Sequence, residues 1–158
     1  MIVVFCLITI VYILTQLSAK QDNLYNMPNY SPTQRKTKIF KSSEIMKFSI
    51  VVPYRYEVLE KFGSVTINTK DGKILVGRNG TNFDNLRDYI KNSRNNLENT
   101  LFETEYLVIN GLEGMSGKIG IEKIYFIYAE NMVYIISTSS SALFEDLDKI
   151  AQSFRYAP

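Results

Sequence analysis

The sequence contains no histidine and no tryptophan, and its only cysteine is Cys6. Because Cys6 lies inside an apolar stretch at the start of the chain, the rest of the protein has no second thiol with which to close a disulfide. The same scarcity leaves neither imidazole nor thiolate to hold a zinc ion, a haem or an iron–sulfur cluster, so no metal and no cofactor is expected. Nucleophilic catalysis by cysteine, or by serine with a histidine base, is excluded on the same ground. A surplus of one charge is also missing. The 18 basic and 16 acidic residues leave a net charge of +2 and a pI near 8.5, well short of the dense basic face that nucleic-acid binding requires. No phosphate-binding Gly-Lys-Ser/Thr loop and no Gly-x-Ser-x-Gly elbow occurs. The chain is therefore not expected to be an enzyme.

What the sequence does have is an uncharged apolar run. From Ile2 to Leu17 only Thr9, Thr15 and Gln16 interrupt aliphatic and aromatic residues, and the first charged side chain is Lys20. Such a run is just under the roughly 20 residues that span a bilayer, so residues 1–19 read either as an uncleaved membrane anchor or as a signal peptide cut near Ala19. No lipobox is present, because Cys6 follows Val-Val-Phe rather than a small residue. Lys20, Arg35, Lys36, Lys38 and Lys41 follow the run, and a literal count of basic flanks would leave the domain in the cytoplasm. Basic residues upstream of Met1 would reverse that orientation. The expectation is an extracytoplasmic domain facing an envelope protein partner, with secretion after cleavage or a cytoplasmic face as the alternatives. Residues 20–45, rich in Asn, Gln, Ser, Lys and Pro, read as a polar linker.

Residues 46–158 carry the periodicities of a folded domain. Phe48–Pro53 and Tyr56–Lys61 read as strands. Val65–Thr69 alternates with period two, Asp71-Gly72 supplies a tight turn, and Lys73–Val76 returns as the second arm of a hairpin. Thr81 or Asn82 then caps a helix with Phe83, Leu86 and Ile90 on one stripe. A strand over Glu105–Ile109 turns at Asn110-Gly111 into a glycine-containing stretch, Leu112–Gly117, expected to be bulged or mobile. Lys123–Ala129 and Met132–Ser137 form a hairpin apolar enough for the centre of a sheet. The chain closes with a helix over Ala142–Phe154, capped by Ser141, with Leu143, Leu147, Ile150 and Phe154 on its buried face. Strands, a helix, strands and a helix make an α+β domain with an antiparallel sheet of six or seven strands and two packed helices, preceded by the apolar N-terminal helix.

With these elements placed, the body resembles the PsbP-like superfamily. That group includes the extrinsic photosystem II subunit, a small Ran-GTPase-binding protein and many membrane-anchored bacterial domains. The resemblance covers Met46 to Tyr156. It is carried by Phe48–Pro53 followed by Tyr56-Glu57-Val58, by the strand ending in Asn110-Gly111, by the paired strands at 123–137, and by the closing helix with Ser153-Phe154-Arg155-Tyr156. These are core and turn positions, so the resemblance implies a fold and carries over no functional residue.

Several local patterns invite a functional reading. Gly77-Arg78-Asn79-Gly80-Thr81-Asn82 leads toward a helix N-terminus that could hold an anion with help from Arg78 and Asn79, or could be a plain capping loop. Glu103 and Glu105, two apart on a strand, would share a face, as paired acid and base groups must. Glu145, Asp146 and Asp148 fall in the first turns of the last helix, where the macrodipole favours acids. Most of the 11 tyrosines and 9 phenylalanines fall on inward positions. Tyr54, Tyr56 and Tyr128 are the exposed candidates for contact with a partner. Two functions fit this inventory: a membrane-held binding domain, or a small-ligand receptor or enzyme using Asp, Glu and Tyr groups brought together only in space.

Overall fold

The computed structural model describes residues 36–93 and 97–158; the apolar segment 1–19 and most of the linker lie outside the described residues. Seven strands form one antiparallel sheet. They are β3 (Glu57–Lys61), β4 (Ser64–Thr69), β5 (Gly72–Gly80), β6 (Phe102–Ile109), β7 (Leu112–Ile119), β8 (Glu122–Ala129) and β9 (Met132–Thr138), in the spatial order β3-β4-β5-β9-β8-β7-β6. A second sheet has the order β1-β2-β10, from β1 (Thr37–Lys41), β2 (Phe48–Pro53) and β10 (Arg155–Tyr156). The folded unit thus starts inside the segment read as linker, because Thr37–Lys41 pairs along its whole length with β2. Its alternation of exposed and half-buried residues is a strand pattern, one that Lys, Thr and the preceding prolines mask in the sequence.

Hairpin turns set the large sheet's register. Asn110 (φ 50°) with Gly111 (φ 86°), and Glu130 (φ 46°) with Asn131 (φ 59°), place both central residues in the left-handed region, the geometry of a type I′ hairpin turn. The β4–β5 connection differs from expectation. Its turn residues are Lys70 and Asp71, and the positive φ sits at Gly72.

Both faces of the sheet's middle are covered, so β8 and β9 are apolar on both sides. Tyr125, Ile127, Ala129, Tyr134 and Ile136 face a core shared with the small sheet and with α3 (Phe144–Gln152), which follows a 3-10 turn over Ser141–Leu143. Ile124, Phe126 and Val133 face a second core beneath α1 (Leu86–Asn92) and the single turn α2 (Leu97–Thr100). An aromatic cluster joins the small sheet to β9 through Phe154, which follows α3. Phe154 stacks on Phe48 with ring centroids 5.3 Å apart and meets Tyr134 at 4.9 Å. All three rings are essentially inaccessible, each worth about 1.5–3 kcal/mol of burial.

Two helices differ from their sequence reading. β5 runs on to Gly80, so Gly77–Gly80 is strand, and α1 starts at Leu86 with Asn85 as its cap. Asn85 Oδ1 accepts from the Asp88 amide at 2.8 Å, which places the acceptor where the first turn needs it. At the C-terminus the predicted helix ends at Gln152, Ser141 makes no cap, and Arg155–Tyr156 crosses back to pair with Phe48 and Ser49. The Leu112–Gly117 stretch is a regular strand. The irregularity lies on its partner, between Phe102 and Glu105 of β6, where Glu103 takes φ 51°.

Candidate functional site

The residues singled out from the sequence do not converge. Arg78 lies opposite Tyr134 in the β5–β9 register, and the Tyr134 hydroxyl donates to the Met46 carbonyl at 2.7 Å. Asn79 points to the other face, where its Nδ2 donates to the Tyr89 hydroxyl at 3.2 Å. Tyr128 is half-buried and donates to the carbonyl of Phe83 and to Asn131 Oδ1, each at 3.0 Å. Tyr56 is buried rather than exposed, because β3 begins one residue later and the turn before it tucks the ring beneath α3. Only Tyr54 is openly exposed, with the Lys38 ammonium 5.7 Å from its ring centroid. Gly77–Gly80 is strand rather than a loop opening directly into a helix, and the first amide of α1, on Leu86, donates to Glu113 Oε2 at 2.9 Å. The bulge separates Glu103 from Glu105, and Glu103 pairs with Lys118 at 2.5 Å.

The acids of α3 have roles that helix electrostatics alone does not give. Asp146 is buried and accepts a hydrogen bond from the Tyr56 hydroxyl. Asp148 accepts from Tyr125 at 2.8 Å and pairs with Lys123 at 2.6 Å. Burial raises the pKa of both tyrosines, and the carboxylate beside each hydroxyl raises it further. Only Glu145 acts as an exposed first-turn acid, paired with Lys149 at 2.5 Å. A residue on a helix two positions from another turns roughly 200° around the axis, so spacing alone could not tell which acid meets the sheet. The one usable signal was the number of tyrosines on strands that a helix must cover. Among the described residues no three His, Cys, Asp or Glu side chains come together as a metal site.

Clefts open on the described surface. A cleft of about 420 Å³ opens between α1, α2 and β6, lined by Arg87, Lys91, Glu98 and Tyr106 over a floor of Ile90 and Met115. Another, of about 490 Å³, lies at the β1–β2 loop, with Lys41, Lys47 and Ser49 in its wall. Exposed apolar side chains concentrate in two places. One is β6, with Phe102, Tyr106 and Val108 (76% exposed); the other is the β1–β2 region, with Ile39 (68%), Ile45, Val51 and Tyr54.

A seven-stranded antiparallel sheet, covered on one face by a C-terminal helix with a small three-stranded sheet and on the other by a mid-chain helix, makes an α+β fold. The chain is similar to the solution structure of cyanobacterial PsbP (CyanoP) from Synechocystis sp. PCC 6803, with a TM-score of 0.50 and 9% sequence identity, over 83% of this chain and 98% of that one. No protein-family model and no curated protein matches the sequence. At this identity the likeness establishes the fold, and the expected α+β antiparallel architecture stands.

Proposed function

We propose that this chain is an accessory domain tethered to a membrane by residues 1–19, facing the extracytoplasmic side and working by contact with a protein partner. The PsbP-like fold supports an interaction role in general terms. One observation carries the reading further: β6 is an edge of the sheet, paired only with β7 among the described residues, and it exposes Phe102, Tyr106 and Val108. An edge strand offers unpaired backbone donors and acceptors to an extended polypeptide, and exposed apolar side chains beside them add affinity. The bulge near Phe102 and the Glu103–Lys118 pair blunt one end of that edge, leaving Glu105–Ile109 as the segment for a partner strand.

The test is photocrosslinking in cells from a benzoylphenylalanine at Val108, with one at the fully exposed Phe62 as control. A discrete adduct with one protein from position 108 that is absent from position 62 is the expected result. No adduct from 108, or the same adducts from both positions, would overturn the reading.

A further inference from the structure

Positive charge is segregated in this molecule. Between Lys36 and Tyr56 there are six charged side chains, of which five are basic and only Glu44 is acidic. From Glu57 to the C-terminus acids outnumber bases by 14 to 11. Lys36, Lys38, Lys41 and Lys47 have no carboxylate partner among the described residues, and neither does Arg155 of β10. Two of these cations, Lys41 and Arg155, fall on one side of the small sheet, whereas Lys38 shares the half-buried side of Phe40. Phe48, Ile50 and Val52 turn into the core, so alternation turns Ser49, Val51 and Pro53 outward. Register then builds the outward rows: Lys41, Ser49 and Arg155 lie side by side across the three strands, and Ile39 lies beside Val51. The result is an aliphatic pair, 68% and 36% exposed, next to a row of two cations, with Lys36 and Tyr54 joined at one end by the Tyr54 amide donating to the Lys36 carbonyl at 2.8 Å.

We infer that this outward face of the β1-β2-β10 sheet lies against the surface of an anionic lipid bilayer. Charge complementarity selects the occupant, since an unpaired lysine and arginine beside short apolar side chains suit phosphate-bearing head groups above acyl chains. Position selects it again. The apolar run ends at Leu17 and β1 begins at Thr37, so at most about 70 Å of fully extended chain separates the two. The inference rests on the tether proposed above. An attached face meets the lipid at high effective concentration, so modest intrinsic affinity suffices to hold it there. Each cation near such a surface strengthens binding about fivefold, so removing Lys41 and Arg155 together weakens it about 30-fold.

The experiment uses the full chain with Cys6 replaced by Ser and an environment-sensitive fluorophore on Ile39→Cys, or on Leu75→Cys as control. Leu75 is 48% exposed and lies on the opposite face of the large sheet from the small sheet. Each protein is reconstituted with vesicles of phosphatidylcholine alone, or with a third of that lipid replaced by phosphatidylglycerol. The expected result is a blue shift at position 39 only with phosphatidylglycerol, reversed by high salt and by Lys41→Gln with Arg155→Gln, and no shift at position 75. A label at 39 that responds alike to both vesicles, or alike to the label at 75, overturns the inference while leaving the tether standing. A chain that binds only the anionic vesicles and is released by salt keeps the face and overturns the tether. Failure to bind either vesicle overturns both, and shielding of position 39 that requires added membrane proteins assigns the face to a protein instead.

Discussion

The Tyr56 hydroxyl donates to Asp146, a carboxylate with only 7% of its surface exposed. Removing a donor from a buried charge costs more than losing a neutral hydrogen bond, about 1.5–3 kcal/mol. Tyr56→Phe is therefore expected to lower the unfolding free energy measured in urea by that amount, whereas Tyr54→Phe, fully at the surface, leaves it unchanged. Equal effects would contradict the assignment. The tyrosines also predict an alkaline limit. Those at 56, 125 and 134 are raised above 10.0 chiefly by burial, and Tyr156 is pushed up to about 12 chiefly by its 2.6 Å bond to Glu130. A folded-state pKa above the unfolded value gives stability that is complete below pH 10 and is lost as the pH rises through the folded value. The melting temperature should thus hold up to about pH 10 and fall above it, with part of the phenolate absorbance appearing late. All 11 tyrosines titrating together near pH 10 would contradict this. None of these pairings was legible in the sequence, because Asp146 and Tyr56 are 90 positions apart and an acid in a first helical turn already has a sufficient local explanation.

At the level of elements, the hairpins were the most legible part of the chain, because period-two alternation and paired turn residues act over a few positions. The extension of β5 to Gly80 was not, since what makes it strand is β9, far along the chain, and the strand centred on Ile39 was hidden by its Lys and Thr residues although its partner β2 is the next strand. The glycine-containing stretch misled for a different reason. In β7, Gly117 is needed because Leu101 and Thr104 pack against it: a Cβ there would lie 3.2 Å from each. Gly117→Val is expected to cost about 1–3 kcal/mol through overpacking, measured by thermal or urea unfolding, and an unchanged midpoint would show that the neighbours yield freely. Asn85→Ala should cost about 0.5–2 kcal/mol through its cap, while Thr81→Ala and Asn82→Ala, at the positions expected from sequence, should leave the α1 cap intact. Phe154→Ala, which empties the contact with Phe48 of the small sheet and Tyr134 of β9, should be larger, about 3–5 kcal/mol.

For the whole molecule, the fold class was readable because it depends on the order and type of elements. The candidate interaction surfaces were not readable. Edge position, unpaired cations and outward apolar pairs are properties of the assembled sheets: Lys41 and Arg155 become neighbours only through Ser49 between them. On these proposals the molecule has two working surfaces, a cationic one turned to lipid and the β6 edge turned to a protein, on a chain held at a membrane. The most direct test is to fractionate cells expressing the full chain, wash the membranes with alkaline carbonate, and expose sealed cells to protease while determining the mass of the recovered protein. The intact mass, including residues 1–19, is expected in the washed membranes, with the domain cut in sealed cells. Recovery in the soluble fraction, or a domain protected until the inner membrane is opened, would contradict a tethered, outward-facing domain.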